Sequence, residues 1–169
     1  MVYHRHGFTL IEAMVVVCLF GLIATLGMMQ LSFLDDTIAH AEVDKIAGIC
    51  MYLQQKAIVS NSEQLLVCDE QKNEYRISNV HETLSRRMAF GFLPNVLGSP
   101  GSAVRSIKKA ITFAGSSIHF YPTGTISSGT VYLTDKNKKI MYALSNAVSQ
   151  VSYLRLYRYD GRWKLLDAS

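Results

Sequence analysis

Two hydropathy patterns divide the chain. From residue 8 to residue 34 apolar side chains run almost unbroken, and Glu12 is the only charged one. From Asp35 onward apolar and polar positions mix as they do in a domain that folds in water. At about 1.5 Å rise per residue, residues 8–29 are long enough as a helix to span roughly 30 Å of hydrocarbon. The helical period continues through residues 35–61, where Ile38, Ala41, Ile46, Ile49, Cys50, Leu53 and Ala57 fall mostly on one face. Asp44, Lys45, Gln54, Gln55 and Lys56 can fill the rest, and Asn61-Ser62 reads as a stop. One helix is therefore expected from about residue 8 to residue 60, apolar all round first and amphipathic second.

Strand patterns follow. Residues 64–68 and 74–78 flank the polar turn 69–73 and predict a hairpin. Glycines and prolines punctuate residues 90–105, which predicts a long loop open to motion or partner contact. Short apolar or β-branched runs at 110–113, 118–121, 129–134 and 140–144 predict further strands. Runs at 150–159 and 162–166 are joined through Asp160-Gly161, a hairpin signal. About seven strands with one helix give an α+β domain.

Charge orients the chain. Arg5 precedes the apolar run, and Asp35 and Asp36 follow it. The positive-inside rule then puts the N-terminus in the cytoplasm and the domain outside. Residues 1–7 are short and polar, so a cleavage site lies more naturally before the apolar run, at Gly7, than after it as in a secretory signal peptide. Cutting there would leave residues 8–34 as an anchor and residues 35–169 as an extracytoplasmic domain. A carboxylate among apolar residues costs about 2.5–3.5 kcal/mol on insertion scales, so Glu12 needs a partner or a route to the interface. A new α-amino group on Phe8 of a neighbouring copy would supply such a partner.

The hexapeptide Gly7-Phe8-Thr9-Leu10-Ile11-Glu12 resembles the processing site of type IV pilins and of the pseudopilins of type II secretion. The resemblance implies a prepilin peptidase that cuts after Gly7 and methylates the new N-terminal Phe8, with Glu12 guiding assembly. It also implies residence in the inner membrane and partnership with other pilin or pseudopilin subunits. The second half sharpens it. Ile111-Thr112-Phe113, then Ile118-His119-Phe120-Tyr121-Pro122-Thr123-Gly124-Thr125, then Gly129-Thr130-Val131-Tyr132-Leu133 is similar to GspH/FimT-type domains. In that family a long N-terminal transmembrane and amphipathic helix packs on antiparallel β-sheets.

Chemistry is sparse. The five histidines are scattered, the cysteine spacings match no zinc pattern, and no phosphate loop or nucleophile elbow occurs. A structural subunit without cofactor, metal or catalytic residues is expected. Cys18 lies in the apolar run. Cys50 and Cys68 lie in the part placed outside the cytoplasm, where a bridge between them and two free thiols are both open. Net charge is +4, too mild for a protein that coats nucleic acid. The last hairpin is nonetheless basic and aromatic, with Arg155, Arg158, Arg162 and Lys164 beside Tyr153, Tyr157, Tyr159 and Trp163. Arginines with aromatics can hold phosphates and stack on bases, and some FimT-type minor pilins that resemble this chain take up DNA through a basic C-terminal region. The partners in view are thus other subunits, with secreted cargo or DNA as alternatives.

Overall fold

The computed structural model describes residues 9–98, 106–146 and 153–166, with the backbone alone given for residues 26–36. The chain divides into two compact units, Met1–Thr37 and Ile38–Ser169. One helix, α1, covers Leu10–Val59. It ends in a left-handed cap on Asn61, whose φ is 48°. Ser62 N–H donates to Ala57 O and Asn61 N–H to Ile58 O, so the last carbonyls are satisfied where the chain turns away.

Within the second unit, α1 turns a stripe inward. Ala39, Val43, Ile46, Cys50, Leu53 and Ala57 are at most 4 % exposed, spaced alternately by four and three residues. This corrects the expected stripe at its start, where Ala41 is exposed and Ile38 half-buried. A four-and-three spacing tracks one side of a 3.6-residue helix, and it passes through the small Ala39 and Val43 rather than Ala41.

Nine strands follow among the described residues: β1 Gln64–Asp69, β2 Glu74–Ile77, β3 Val80–Thr83, β4 Met88–Phe90, β5 Ser117–Phe120, β6 Gly129–Asp135, β7 Met141–Asn146, β8 Arg155–Tyr159 and β9 Trp163–Leu166. They form two sheets, ordered β3-β2-β1-β5 and β4-β6-β7-β8-β9, with every pairing antiparallel. The architecture is the expected α+β one, a helix packed on antiparallel sheets. The helical stripe shares one core with Leu66, Tyr75, Ile118 and Phe120 of the first sheet and Val131, Leu133, Tyr142 and Leu144 of the second.

β6 and β7 are buried almost end to end, without the alternation of a half-solvated strand. Both faces of this sheet are covered, which is why their sequences read as near-continuous apolar runs. Tyr132, Met141, Ala143 and Tyr157 form a second core on the outer face with Val96, joined by Phe92, Leu93, Ile107, Tyr159 and Trp163. The segment expected as an open loop therefore corrects in part. Residues 91–98 are pinned to the sheet: Gly91 N–H donates to Tyr132 O at 3.1 Å, and Trp163 Nε1–H donates to Leu97 O at 2.9 Å. Residues 99–105 lie outside the described set.

The run at 110–113 is not a full strand. It makes one bridge, Ile111 to Val131, flanked by Thr112 N–H to Thr130 O at 2.9 Å and Tyr132 N–H to Ala110 O at 2.8 Å. It then breaks into a short 3-10 turn, Ala114–Ser116, where Gly115 has φ 61°. This bridge presses Phe113 onto Gly129. A Cβ on Gly129 would meet the Phe113 ring at 2.4 Å and its Cα at 2.8 Å.

Gly129→Ala is therefore expected to destabilise the domain by roughly 1–3 kcal/mol through overpacking, read as a lower denaturation midpoint. Gly48→Ala on α1, where a Cβ meets nothing within 4 Å, is expected to stabilise by up to about 1 kcal/mol. Equal midpoints for the two variants would contradict this account of Gly129.

Candidate functional site

The first site is the start of α1. Thr9 precedes it as the N-cap. Its carbonyl accepts from Glu12 N–H at 3.1 Å and Ala13 N–H at 3.2 Å, and its Oγ1 accepts more loosely from Glu12 N–H at 3.4 Å. Thr9-Leu10-Ile11-Glu12 thus has the spacing of a capping box. The motif reading assigned Glu12 to assembly alone and missed this local role, though Ser/Thr-x-x-Glu before an apolar run was a legible signal. Glu12 also stands in the first turn, where the helix dipole favours a carboxylate. Gly7 and Phe8 lie outside the described residues.

The segment behind this cap is bare. Leu10 is 80 % exposed and Phe20 68 %, and every described side chain from Leu10 to Thr25 is exposed. Apolar side chains all round a helix need lipid or other helices to cover them. Among the described residues no helix is long and apolar enough to cross a membrane. The described side chains of the apolar run stop at Thr25, so residues 26–29 of the 8–29 stretch fall outside them.

The cysteines of the second unit are core residues. Cys50 on α1 and Cys68 on β1 are both buried, and the structure holds free thiols rather than a bridge. Each packs as a small apolar side chain. Burial pushes the Cys50 thiol well above its ordinary value, and the nearby Cys68 adds to the rise. Burial alone pushes Cys68 up to about 12.

The basic hairpin divides its charges between its two faces and its turn. Strand alternation puts Arg155 on one face with Tyr157 and Tyr159, and Arg158 on the other. Arg158 pairs in register with Lys164. Arg155 donates to Tyr153 Oη at 2.8 Å and lies 5.2 Å from that ring's centre. Lys164 pairs with Asp160 at 2.9 Å and holds that carboxyl below the usual carboxylate range. Arg162 stands in the turn. The aromatics are occupied as well. Trp163 packs against Tyr159 at 5.2 Å and Tyr157 at 6.4 Å, so their surfaces serve the outer core rather than a row of bases.

The described histidines are surface groups. His119 Nδ1 meets Glu63 at 2.5 Å, and His40 Nδ1 meets Asp44 at 2.7 Å. Among the described residues no group of three or more His, Cys, Asp or Glu side chains is placed to hold a metal ion.

Residues 3–28 match the family model for the prokaryotic N-terminal methylation motif. No curated protein and no solved structure matches the chain. The motif indicates a type IV pilin-like prepilin, a membrane-anchored kind of protein.

The buried thiols are expected to resist reagents. At pH 8, Ellman's reagent should titrate at most Cys18 in the folded chain and all three cysteines after denaturation. Rapid native reaction of all three would contradict the packing. The sign of the pH dependence follows. Both values are raised above the ordinary 9.0, so the folded state keeps protons that the unfolded chain releases. This support is complete below the unfolded value and is lost as pH climbs toward 12. Unfolding midpoints should fall across that alkaline window, and fall less when Cys50→Ala and Cys68→Ala are combined.

Proposed function

We propose that this chain is a minor pseudopilin, a structural subunit that joins the short inner-membrane-anchored filament of a type II secretion system. A prepilin peptidase cuts after Gly7 and methylates Phe8. Residues 8–34 anchor the subunit in the inner membrane with the N-terminus cytoplasmic, and residues 35–169 stand in the periplasm. Other pilin or pseudopilin subunits cover the apolar helix in the filament, and the exposed domain meets secreted cargo or further subunits.

The observation that carries this reading is the methylation motif over residues 3–28, set on a helix whose described apolar side chains are uncovered from Leu10 to Thr25. Lipid meets that need before assembly and neighbouring helices meet it after. Glu12, four residues from Phe8, pairs with the Phe8 amine of an adjacent subunit and sets the axial offset between helices. The GspH/FimT-type assignment is supported by the order of Phe113, the Pro122-Thr123-Gly124 turn and the strand opening at Gly129. Gly124 has a φ of 80°, which the turn requires, and Phe113, a core residue, lies against Gly129.

Mass spectrometry of the mature protein is expected to find a methylated Phe8 as its first residue. An N-terminus upstream of Phe8 would sink the processing step. Glu12→Ala is expected to leave cleavage intact while reducing cross-links to neighbouring subunits on the order of tenfold or more, because the Phe8 amine of the next subunit then loses its carboxylate partner in an apolar layer. Unchanged cross-linking would point to an anchored domain that does not assemble.

A further inference from the structure

Six cations far apart in sequence converge at one end of the five-stranded sheet. Arg86 and Arg87 precede β4, Lys136, Lys138 and Lys139 form the β6–β7 turn, and Arg162 lies in the β8–β9 turn. The register brings these segments together. Met88 pairs with Asp135, Met141 with Tyr159 and Tyr159 with Trp163. Lys136 N–H donates to Arg87 O at 3.0 Å, tying the first two segments directly. From β4 to β9 the row crosses four strand spacings, about 19 Å. All six side chains are exposed.

The lysine turn is held in shape from beneath. Asp135, 8 % exposed, accepts through Oδ1 from Lys139 N–H at 2.6 Å and Ile140 N–H at 2.9 Å, while Lys138 takes a φ of 53°. Asp160, at the β8–β9 turn of this end, is paired with Lys164. Asp135 is thus turned onto backbone amides and Asp160 is matched, while the three lysines of the turn are exposed.

This end is also where the chain enters the domain. The second unit begins at Ile38, and the His40 ring packs edge-on to Tyr142 at 6.2 Å, one residue beyond the start of β7. The far end of the helix lies at the opposite end of the sheet, where Gln54 Nε2–H donates to Gly124 O at 2.7 Å, in the connection leading to β6. Only residues 30–37 separate the apolar run 8–29 from that entry point. Asp35 and Asp36 in this connection carry the opposite sign in the sequence, so the row itself is tested by substitution.

We infer that this basic end is a docking surface for the anionic phospholipid headgroups of the membrane that holds the chain's own anchor. The inference rests on the anchored reading proposed above. Ammonium and guanidinium groups along a broad row suit a surface of phosphates, where each contributes about fivefold to partitioning near an anionic bilayer and acts within a Debye length of about 8 Å. Nucleic acid fits less well. The neighbouring aromatic faces that would stack bases are spent in the Trp163 cluster, and few residues of sequence separate the apolar run from the domain.

Trp163 is the single tryptophan and neighbours Arg162, so it reports on this end. The full chain is reconstituted into vesicles of phosphatidylcholine alone, or with phosphatidylglycerol, each containing headgroup spin-labelled lipid. Stronger Trp163 quenching in the anionic vesicles is expected, abolished in 1 M salt. Combining Lys136→Gln, Lys138→Gln and Lys139→Gln should lower the docked-to-undocked ratio on the order of a hundredfold and remove the phosphatidylglycerol-dependent quenching. Equal quenching in both vesicle types, or full retention of the effect in the triple variant, would overturn the inference. So would retention of the chain on duplex DNA without any vesicle response. Flotation with neutral vesicles reads the anchor separately. If the chain fails to float there, phosphatidylglycerol-dependent flotation reads the basic end directly, and its loss in the triple variant remains the expected result.

Discussion

Burial of one stripe of α1 is the contact on which the rest of the domain depends. Ala39, Val43, Ile46, Cys50, Leu53 and Ala57 are the only described helical positions fully withdrawn from water, and they meet inward residues of both sheets in a single core. Neither sheet pairs with the other through a strand, so the apolar faces of the two join through side chains alone. At roughly 25 cal/mol per Å² of apolar surface, a shared core of this kind outweighs single surface contacts such as Lys45 with Glu82, whose worth is about 0–1 kcal/mol. The same helix carries exposed apolar side chains from Leu10 onward. Its two parts obey one rule, that apolar surface must be covered, and among the described side chains only those of the second part find their cover within the chain.

The second sheet extends that rule to its outer face. A sheet covered by a helix on one side would leave Tyr132, Met141 and Tyr157 in water, and the segment 91–98 prevents it by lying across them. Trp163 closes the arrangement, packing on three tyrosines while its Nε1–H meets the Leu97 carbonyl. The aromatic character of the last hairpin is thereby accounted for by packing. Its positive charge is a separate matter: Arg155, Arg158 and Lys164 stand on the strands and Arg162 in the turn, and Arg162 alone of these joins Arg86, Arg87 and the lysine turn in one row.

Much of this was legible in the sequence, and the exceptions have physical causes. The helix was readable to within about two residues at each end because its apolar period is long and Asn61 can adopt a left-handed cap. The β1–β2 and β8–β9 hairpins were readable from their turns. β3 and β4 were not, since Val80–Thr83 is largely exposed and Met88–Phe90 is only three residues long. The run 110–113 resembled a strand yet makes one bridge, because its register on β6 ends where Phe113 meets Gly129. The motif at Gly7–Glu12 announced the N-terminal site, whereas the basic end could not be read at all: its members are about 50 and 25 residues apart in sequence and meet only through antiparallel register.

Glu12 joins the local and the collective levels. Its backbone amide completes the Thr9 cap, so the residue helps begin the helix before its charge does anything else. The positive end of the helix dipole then offsets about 0.3–1 kcal/mol of holding a carboxylate there. Insertion into an apolar layer costs about 2.5–3.5 kcal/mol. The dipole thus leaves a deficit of roughly 2 kcal/mol, which no described side chain of the first unit can make good, because Glu12 is the only charged residue between positions 8 and 34. The compensating cation has to come from an amino terminus or from the interface. In the proposed filament it is the methylated Phe8 of the next subunit, and the carboxylate that is costly in a lone anchor becomes the reason to assemble.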